Sequence, residues 1–424
     1  LSESDFRAFV PFAEGLQLDE KRNLLRVFCF RLVMQMFFVH FLYHPDEFWQ
    51  SVEVAYDLLF GRKSNHSLSV ESVLSWEWNS FYSLRNHLYP LFLSLPGQLL
   101  KHLPLGSLSN LVMVNSMYVM HTLIVTCGDF YYYRLAKDVG GRECAVVTTI
   151  FSLTHEYALR YHSRTCANSV ETTLCIVGLF YYNRLWKVKM FCPDLTKMTL
   201  VITVCFLIRS SSLAGWVPLA LLKLCEHPSN FLPVLMAGLT VALPCILASV
   251  AIDSWYYGVV TVPQFNFVYF NVLENLSVYF GIDPWFAYLH GFKDQYGNFF
   301  VLAIFGLSWV SVVQIQGQAA KSRIPSFFVF TAASLTVLST VDHKELRFLS
   351  PLVQLGCLSE GFVLAQGFKI KPLRLLVKWT VIVVMFMGAA VGYIYATRAY
   401  MGIYYSHMEA QLTFRAEGLK VTEQ

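Results

Sequence analysis

The chain has 424 residues, of which 55% are hydrophobic, 16% are aromatic and only 14% are charged, and its formal net charge is +4. A soluble domain usually carries about 25% charged residues, so this composition excludes an ordinary soluble protein. The small net charge also argues against a nucleic-acid partner. Many apolar runs approach the roughly 20 residues that cross a bilayer as a helix. We therefore predict an all-α polytopic membrane protein.

The chain begins with a polar stretch that ends in Lys21-Arg22, followed by an apolar run too long for a signal-peptide core. We predict a cytosolic segment 1–23, a membrane domain 24–400 that starts with an uncleaved anchor, and a short lumenal tail 401–424. The first residue is Leu rather than Met, as expected for a piece of a longer protein. About 11 to 12 membrane segments are predicted by length and hydropathy. They are 24–43, 88–103, 108–133, 144–160, 170–186, 198–210, 212–224, 231–252, 299–316, 325–341, 350–367 and 377–396.

Short loops rich in Lys and Arg predict the orientation, because such loops stay in the cytosol. The basic clusters lie at 21–26, 134–142, 184–197, 321–323 and 369–378. All of them are cytosolic if 88–103 is re-entrant or juxtamembrane rather than a full span. Four segments then lie on the lumenal side, and these also hold most of the chain's polar motifs, so we expect a lumenal active site. They are 44–87, 161–169, 253–298 and 342–349.

The first motif directly follows the first span and reads His44-Pro45-Asp46-Glu47. Charge beside hydrocarbon is costly, so this acidic pair is a functional candidate. In one interpretation, one carboxylate removes a proton from an acceptor hydroxyl and the other positions it. In the other, the pair opens a helix whose dipole favours acidic residues at its start. The two interpretations are compatible.

The rest of that loop contains Trp76-Glu77-Trp78 and Arg85. Paired aromatic residues at a membrane surface are typical of interfacial anchors. Stacking on a sugar or contact with a lipid headgroup is the alternative. The aromatic, amide-rich loop 253–298 has the same two interpretations; Gln264, Asn266 and Asn271 are its candidate sugar ligands.

Cationic residues form three further motifs. Arg164, Asn168 and Glu171 recur at helical spacing, which suits either phosphate binding or an arginine snorkelling at a helix end. Arg209 lies between two short apolar runs and needs a partner or a water-filled cavity. The third motif mixes acid, base and imidazole in a way that suits a phosphate beside a positioned hydroxyl; it consists of His343, Lys344, Glu345 and Arg347.

Acids, cations and aromatic residues around a membrane cavity favour transfer of a group from a lipid phosphate to a polar acceptor. A lipid phosphate leaves readily when cations stabilise it, so a single carboxylate base suffices for in-line displacement with inversion. The sequence has no Asp-x-Asp pair and no histidine cluster. We therefore expect neither a metal nor another cofactor.

These motifs together resemble the dolichyl-phosphate-mannose-dependent α-mannosyltransferases of the GT-C class, glycosyltransferase family 22, from about residue 20 to 400. Within that family they look most like the GPI mannosyltransferase 3 group. The motifs that carry the resemblance are His44-Pro45-Asp46-Glu47, Trp76-Glu77-Trp78, Arg85, Arg164-Thr165, Asn168, Glu171, Arg209, Gln264 to Asn271, His343-Lys344-Glu345 and Arg347.

The resemblance implies a GT-C bundle in the endoplasmic reticulum membrane, with dolichyl-phosphate mannose as donor and a GPI glycolipid precursor as acceptor. The reaction would add the third, α1,2-linked mannose with inversion. Asp46 would be the base and Glu47 its partner. His343, Lys344 and Arg347 would lie near the donor phosphate.

Two departures from the family bear on the acceptor. Ser210 follows Arg209 where the family usually has proline, and relatives carry a sizeable lumenal part after the last span. Three rival functions stay open from the sequence. One is a sister mannosyltransferase of N-glycan precursor assembly, another is a transporter, which would need inverted repeats, and the last is a non-catalytic lipid-binding scaffold.

Overall fold

The computed structural model describes residues 18–38, 45–60, 74–104, 109–155, 161–185, 190, 192–296, 326–370 and scattered positions between 372 and 390. All regular secondary structure in these residues is helical, which confirms the predicted all-α class. The helices, numbered in chain order, are α1 (Leu18–Phe38), α2 (Pro45–Glu47, a π turn Phe48–Val52 and Glu53–Phe60), α3 (Leu88–Leu100), α4 (Ser109–Thr154), α5 (Ala167–Arg184), α6 (Pro193–Ile208), α7 (Leu213–Glu226), α8 (Phe231–Ala237, a π turn Gly238–Ala242 and Leu243–Tyr257), α9 (Pro263–Val268 and a π turn Tyr269–Leu273), α10 (Ala287–Tyr296), α11 (Ser326–Ser339) and α12 (Ser350–Lys369). Short 3-10 turns lie at Trp76–Trp78, Ser210–Ser212, Pro228–Asn230, Leu276–Phe280 and Leu346–Leu349.

Three helical stretches in the described part of the chain are long and apolar enough to cross a bilayer: Leu111–Thr154, Pro228–Tyr257 and Leu346–Gly367. Helix α3 has 13 residues, or about 20 Å at 1.5 Å per residue, which is too short for a hydrocarbon core of roughly 30 Å. This length agrees with the re-entrant or juxtamembrane placement predicted for 88–103. Segment 299–316 and most of 377–396 lie outside the described residues, so the total of 11 to 12 segments stays a prediction.

Helix α4 differs from the sequence expectation of two segments joined by a basic loop at 134–142. The helix continues past residue 133, and its only non-helical residue is Gly141, with φ of 84°. That backbone conformation is open to glycine and costly for other residues. The charge of Arg134 is accommodated within the helix, because its guanidinium stacks on the rings of Phe130 and Phe180, at 5.6 and 5.1 Å from their centroids. The predicted loop is therefore helical up to the break.

The main core lies where α12 and α5 pack along α4, with α7 and α11 closing one side. Gly361 on α12 lies so close to α4 that an added Cβ would be 2.8 Å from the backbone N of Thr148. Helix α1 is joined to α4 by a buried ion pair in which Arg31 Nε lies 2.8 Å from Asp129 Oδ2. Arg31 also donates to the Ser163 hydroxyl at 3.0 Å, so it holds the 161–166 turn in the same network. This framework fixes the residues around the site.

Candidate active site

The start of α2 presents two adjacent carboxylates to different surroundings. Pro45 occupies the first helical position, where its missing N–H costs nothing. Successive helical residues point about 100° apart, so Asp46 and Glu47 diverge. The Asp46 side chain is 28% exposed and lines a large cavity. The Glu47 side chain is 7% exposed and is directed into the protein.

Glu47 has hydrogen-bond partners on both carboxylate oxygens. Arg164 Nη1 donates to Oε2 at 2.8 Å. The backbone N–H and the hydroxyl of Thr165 donate to Oε1 at 3.2 and 3.1 Å. Glu47 therefore fastens α2 to the 161–166 turn, and Arg31 holds that turn from the other side.

Asp46 belongs to a second network, formed with the segment that precedes α12. Arg347 Nη2 donates to Asp46 Oδ2 and, at 2.8 Å, to Glu345 Oε1. His343 Nε2 lies 3.1 Å from the same Glu345 oxygen. The 3-10 turn Leu346–Leu349 brings Arg347 into the protein, where the residue is 5% exposed. Two distant parts of the sequence thus meet at one carboxylate.

Arg209 supplies another cation at the same cavity. It breaks the helical path between α6 and α7 with an extended backbone, φ of −143°. Its Nε lies 3.3 Å from Glu171 Oε2, and Ser211 donates to the other Glu171 oxygen at 3.2 Å. The structure therefore provides both the partner and the cavity that an arginine at this depth requires.

Arg209 and Arg347 share one aromatic neighbour. Their guanidinium carbons lie 5.0 and 5.6 Å from the centroid of the Phe348 ring. Cations are attracted to the face of such a ring. Phe348 therefore holds two guanidinium groups beside the same part of the cavity, a suitable arrangement for a phosphate.

A third charged pair completes the polar wall of the cavity. Arg85 Nε donates to Glu77 Oε1 at 3.0 Å, and Gln50 donates to Glu77 Oε2 at 3.1 Å. Arg85 is held in turn through its backbone, because the Tyr257 hydroxyl donates to its carbonyl at 2.7 Å. Asp253, which is fully buried, accepts from the backbone N–H of His87 at 2.9 Å. Helix α8 thereby positions the loop that carries Arg85.

The cavity measures about 890 Å³ and joins these networks. One wall is charged, with Asp46, Glu77 and three arginines; another is apolar and is formed by packed helices α7 and α11. Its lining comprises Asp46, Trp49, Gln50, Leu74, Ser75, Trp76, Glu77, Leu84, Arg85, Arg209, Ser210, Ser211, Leu213, Ala214, Phe267, Val268, Phe270, Asn271, Val272, Ser277, Phe280, Tyr288, Val337, Leu338, Val341, His343, Glu345, Arg347 and Phe348. An amphipathic ligand with an anionic head and a long apolar chain matches these two walls.

Tyr288 is a lining residue outside the membrane-spanning helices whose acidity is altered by burial. Its side chain is 1% exposed, and burial raises the pKa of its phenol above the ordinary value near 10. The phenol therefore keeps its proton at neutral pH. A hydrogen bond with the backbone of Glu345 joins its hydroxyl to the segment that carries Arg347, which favours a supporting role.

Residues 24–419 match the sequence profile of the Alg9-like mannosyltransferase family. The chain belongs to this family. Human GPI alpha-1,2-mannosyltransferase 3 is 28% identical over 335 residues, which cover 79% of this chain and 56% of the human protein. Mannosyltransferase APTG1 of Arabidopsis thaliana is 27% identical over 359 residues, which cover 84% of this chain and 61% of the relative. This Alg9-like chain thus spans little more than half the length of the curated relatives it matches.

The fold of this Alg9-like protein is also found in a solved structure. ArnT from Cupriavidus metallidurans, bound to undecaprenyl phosphate, superposes with a TM-score of 0.51 over 89% of this chain and 75% of ArnT. The sequences are 12% identical, so the likeness is one of fold. It confirms the predicted GT-C-type membrane architecture.

The structure gathers about half of the sequence-predicted site residues around the cavity of the Alg9-like protein. Those that line it are Asp46, Trp76, Glu77, Arg85, Arg209, Asn271, His343, Glu345 and Arg347. His44 lies outside the described residues. Those described residues that lie behind the lining are Glu47, Trp78, Arg164, Asn168, Glu171, Gln264, Asn266 and Lys344.

The residues behind the lining mostly support the protein's own backbone. The Trp78 indole donates to the Trp49 carbonyl at 3.0 Å, and Gln264 donates to the Leu207 carbonyl at 2.8 Å. Asn266 donates to the carbonyls of Tyr82 and Ser83, both at 3.2 Å. These partners favour positioning roles for residues that were predicted to bind substrate.

Lys344 also differs in its surroundings from the neighbouring His343 and Arg347. Its ammonium group donates to the carbonyls of Val341 at 2.6 Å and Asp283 at 3.1 Å. These bonds join the 342–349 segment to the 253–298 loop. The geometry favours a fastening role for Lys344, and its predicted contact with the donor stays a prediction.

Gln50, Phe348 and Phe280 are among the lining residues that were assigned no role from the sequence. Gln50 lies one helical turn after Asp46, so helical periodicity alone could have placed it beside that carboxylate. Phe348 directly follows Arg347, but an aromatic residue at a span's start carries no distinctive signal. Phe280 is one aromatic residue among many in the 253–298 loop. Only Gln50 had a usable signal.

Proposed function

We propose that the chain transfers mannose from dolichyl-phosphate mannose to a GPI-anchor precursor, adding the third mannose in α1,2 linkage with inversion. The observation that carries the proposal is the cavity of an Alg9-like mannosyltransferase, whose lining combines Asp46 and three arginines with apolar residues of α7 and α11. Relatives named GPI alpha-1,2-mannosyltransferase 3 support the acceptor and the linkage.

The apolar wall gives the donor lipid a place. Leu213 and Ala214 of α7 and Val337 and Leu338 of α11 line it. Burial of hydrocarbon in such a groove yields about 0.8 kcal/mol per methylene. The polyprenyl chain would lie there, with its phosphate directed to the charged wall.

Arg347 and Arg209 are the cations for the leaving group. When the bond between the anomeric carbon and the phosphate oxygen breaks, negative charge grows on the lipid phosphate. Preorganised guanidinium groups stabilise that charge in the transition state. Phe348 keeps both groups in place before the donor binds.

Asp46 is the proposed base. The acceptor hydroxyl oxygen forms the new bond to the anomeric carbon from the face opposite the phosphate, and its proton passes to the Asp46 carboxylate. Glu47 is not directed to the cavity, and its oxygens already accept bonds from Arg164 and Thr165. We therefore assign proton removal to Asp46 and positioning to Glu47.

The proposed location is the endoplasmic reticulum membrane with a lumenal site. The four segments predicted to be lumenal from Lys and Arg counting all contribute to this region, through Asp46, Arg164, Asn271 and Arg347. Because orientation and site were inferred from different residues, their agreement supports the assignment.

Complementation tests the acceptor. Cells that lack the third GPI mannose should regain surface GPI-anchored proteins when they express the chain, and should not when they express Asp46→Asn at the same level. Rescue of a mutant in N-glycan precursor assembly, without rescue of surface GPI proteins, would move the assignment to the sister mannosyltransferases.

A further inference from the structure

An aromatic cluster lies on the cavity apart from the apolar wall of α7 and α11. Trp76 and Phe280 have parallel rings, with centroids 6.0 Å apart and planes 5° apart. Phe270 lies 5.5 Å from Trp76 at 38°. We call these three residues the aromatic platform; all of them line the cavity.

The platform is left open although it is built from large apolar side chains. Trp76 is 41% exposed and Phe280 is 54% exposed. Exposed aromatic rings in a cavity give up the stabilisation that burial would bring, and they are a common feature of ligand sites. The exposed part of these rings is therefore available to a flat apolar face of a ligand in the cavity.

Polar groups line the same cavity as the platform and indicate which ligand fits it. Glu77 directly follows Trp76 in the chain, Asn271 directly follows Phe270, and Ser277 lies three residues before Phe280. A hydrocarbon chain forms no hydrogen bonds with carboxylate, hydroxyl and amide groups. A sugar ring uses both kinds of partner, because its C–H face stacks on aromatic rings while the hydroxyls at its edge form hydrogen bonds.

Trp76 and Phe280 are each connected to Asp46 through neighbouring side chains. Next to Trp76, Glu77 accepts a hydrogen bond from Gln50, which lies one turn after Asp46 on α2. Phe280 contacts His343 at 6.1 Å between ring centroids, and His343 leads through Glu345 to Arg347, the partner of Asp46. A sugar on the platform would thus lie beside the proposed base.

The proposed reaction needs a sugar at this place. A hydroxyl that gives its proton to Asp46 must come within about 2.6–3.2 Å of that carboxylate. The ring that carries this hydroxyl belongs to the acceptor. The donor's apolar chain is accommodated elsewhere, between Leu213 and Val337.

We propose that the aromatic platform of Trp76, Phe270 and Phe280 binds the terminal hexose of the acceptor glycan by stacking on its C–H face. This inference rests on the proposed function and adds the acceptor subsite to it. Stacking fixes the ring plane and leaves the attacking hydroxyl directed to Asp46.

The test is steady-state transfer by the purified protein, with a detergent-soluble lipid-linked α-mannobioside as acceptor and dolichyl-phosphate mannose as donor. Trp76→Ala and Phe280→Ala should each raise the acceptor KM about 5- to 30-fold, as expected for loss of one stacking partner. The donor KM should change less than about twofold. Trp76→Phe should restore most of the affinity because it keeps a ring.

Phe81→Ala is the matched control, because Phe81 is 85% exposed and touches Tyr82 outside the cavity lining. It should leave both KM values unchanged. Phe280→Leu removes the ring but keeps an apolar side chain. It therefore tests the loss of stacking if the alanine variant is poorly folded.

Calorimetry that measures binding of the same α-mannobioside in the absence of donor separates the platform proposal from the proposed mannosyltransfer. Weaker binding in Trp76→Ala together with no turnover by wild type would support the platform and contradict the mannosyltransfer. If wild type turns over, an unchanged acceptor KM in Trp76→Ala and Phe280→Ala would overturn the platform. A raised donor KM with an unchanged acceptor KM would also overturn it, and would assign the rings to the donor mannose.

Discussion

At the scale of single residues, two neighbouring carboxylates have separate surroundings because they point to different sides of one helix. Asp46 faces the cavity and Arg347, while Glu47 faces Arg164 and Thr165. The sequence predicted that this pair is functional, since acids beside a membrane span are costly. It could not separate them, because their partners lie more than 100 residues away along the chain.

Glu47→Ala should destabilise the protein by about 3–5 kcal/mol, because it leaves the Arg164 charge buried without its partner. A thermal melt of the detergent-solubilised variant measures this loss. Asp46→Asn should melt close to wild type, since Arg347 keeps Glu345 as a partner. Equal losses of stability in the two variants would contradict the division of roles.

Phe348→Leu should lower kcat/KM for mannose transfer about 10-fold, because two cation–π contacts of about 0.5–2 kcal/mol each are removed while apolar volume is kept. Steady-state kinetics with varied donor measures the effect. Phe348→Tyr keeps the ring and should retain activity within a factor of about three. Full activity of the leucine variant would show that the ring does not hold the two arginines.

At the scale of helices, apolar runs predicted where most elements lie, but not how closely they approach each other. Segments 198–210 and 350–367 correspond to α6 and α12 within a few residues. The continuation of α4 to Gly141 was missed, because Arg134, one of the basic residues that suggested a loop, is accommodated by the rings of Phe130 on α4 and Phe180 on α5. Residues 134–141 are helical because of tertiary packing, and the sequence of a single segment does not reveal that packing.

Gly361→Ala should cost about 1–3 kcal/mol, because its Cβ would lie 2.8 Å from the Thr148 backbone and force α12 away from α4. Gly238→Ala on α8 is the matched control, since nothing lies within 4 Å of an added Cβ there. Thermal midpoints in the same detergent compare the two. A Gly361 variant as stable as the control would mean that the two helices pack less tightly than the structure shows.

At the scale of the whole molecule, three of the four segments predicted to lie on one side of the membrane line one cavity, and the fourth, 161–169, is joined to them by the Arg164–Glu47 ion pair. Charge counting could predict their common side, because each loop is scored by its own residues. The pairing of Asp46 with Arg347, 301 positions apart, depends on the complete bundle. The sequence therefore predicted candidate residues, half of which line the cavity, but not which of them touch.

The most direct test of the central claim is the rate of mannose transfer by purified Asp46→Asn with saturating dolichyl-phosphate mannose. Asp138→Asn is the matched control, since that carboxylate forms a partly exposed ion pair with Arg184 outside the cavity. We expect Asp46→Asn to lower kcat by at least about 100-fold while its melting temperature and donor binding stay near wild type, because only proton removal is lost. Asp138→Asn should transfer normally. Near-normal transfer by Asp46→Asn would contradict the assignment of Asp46 as the base.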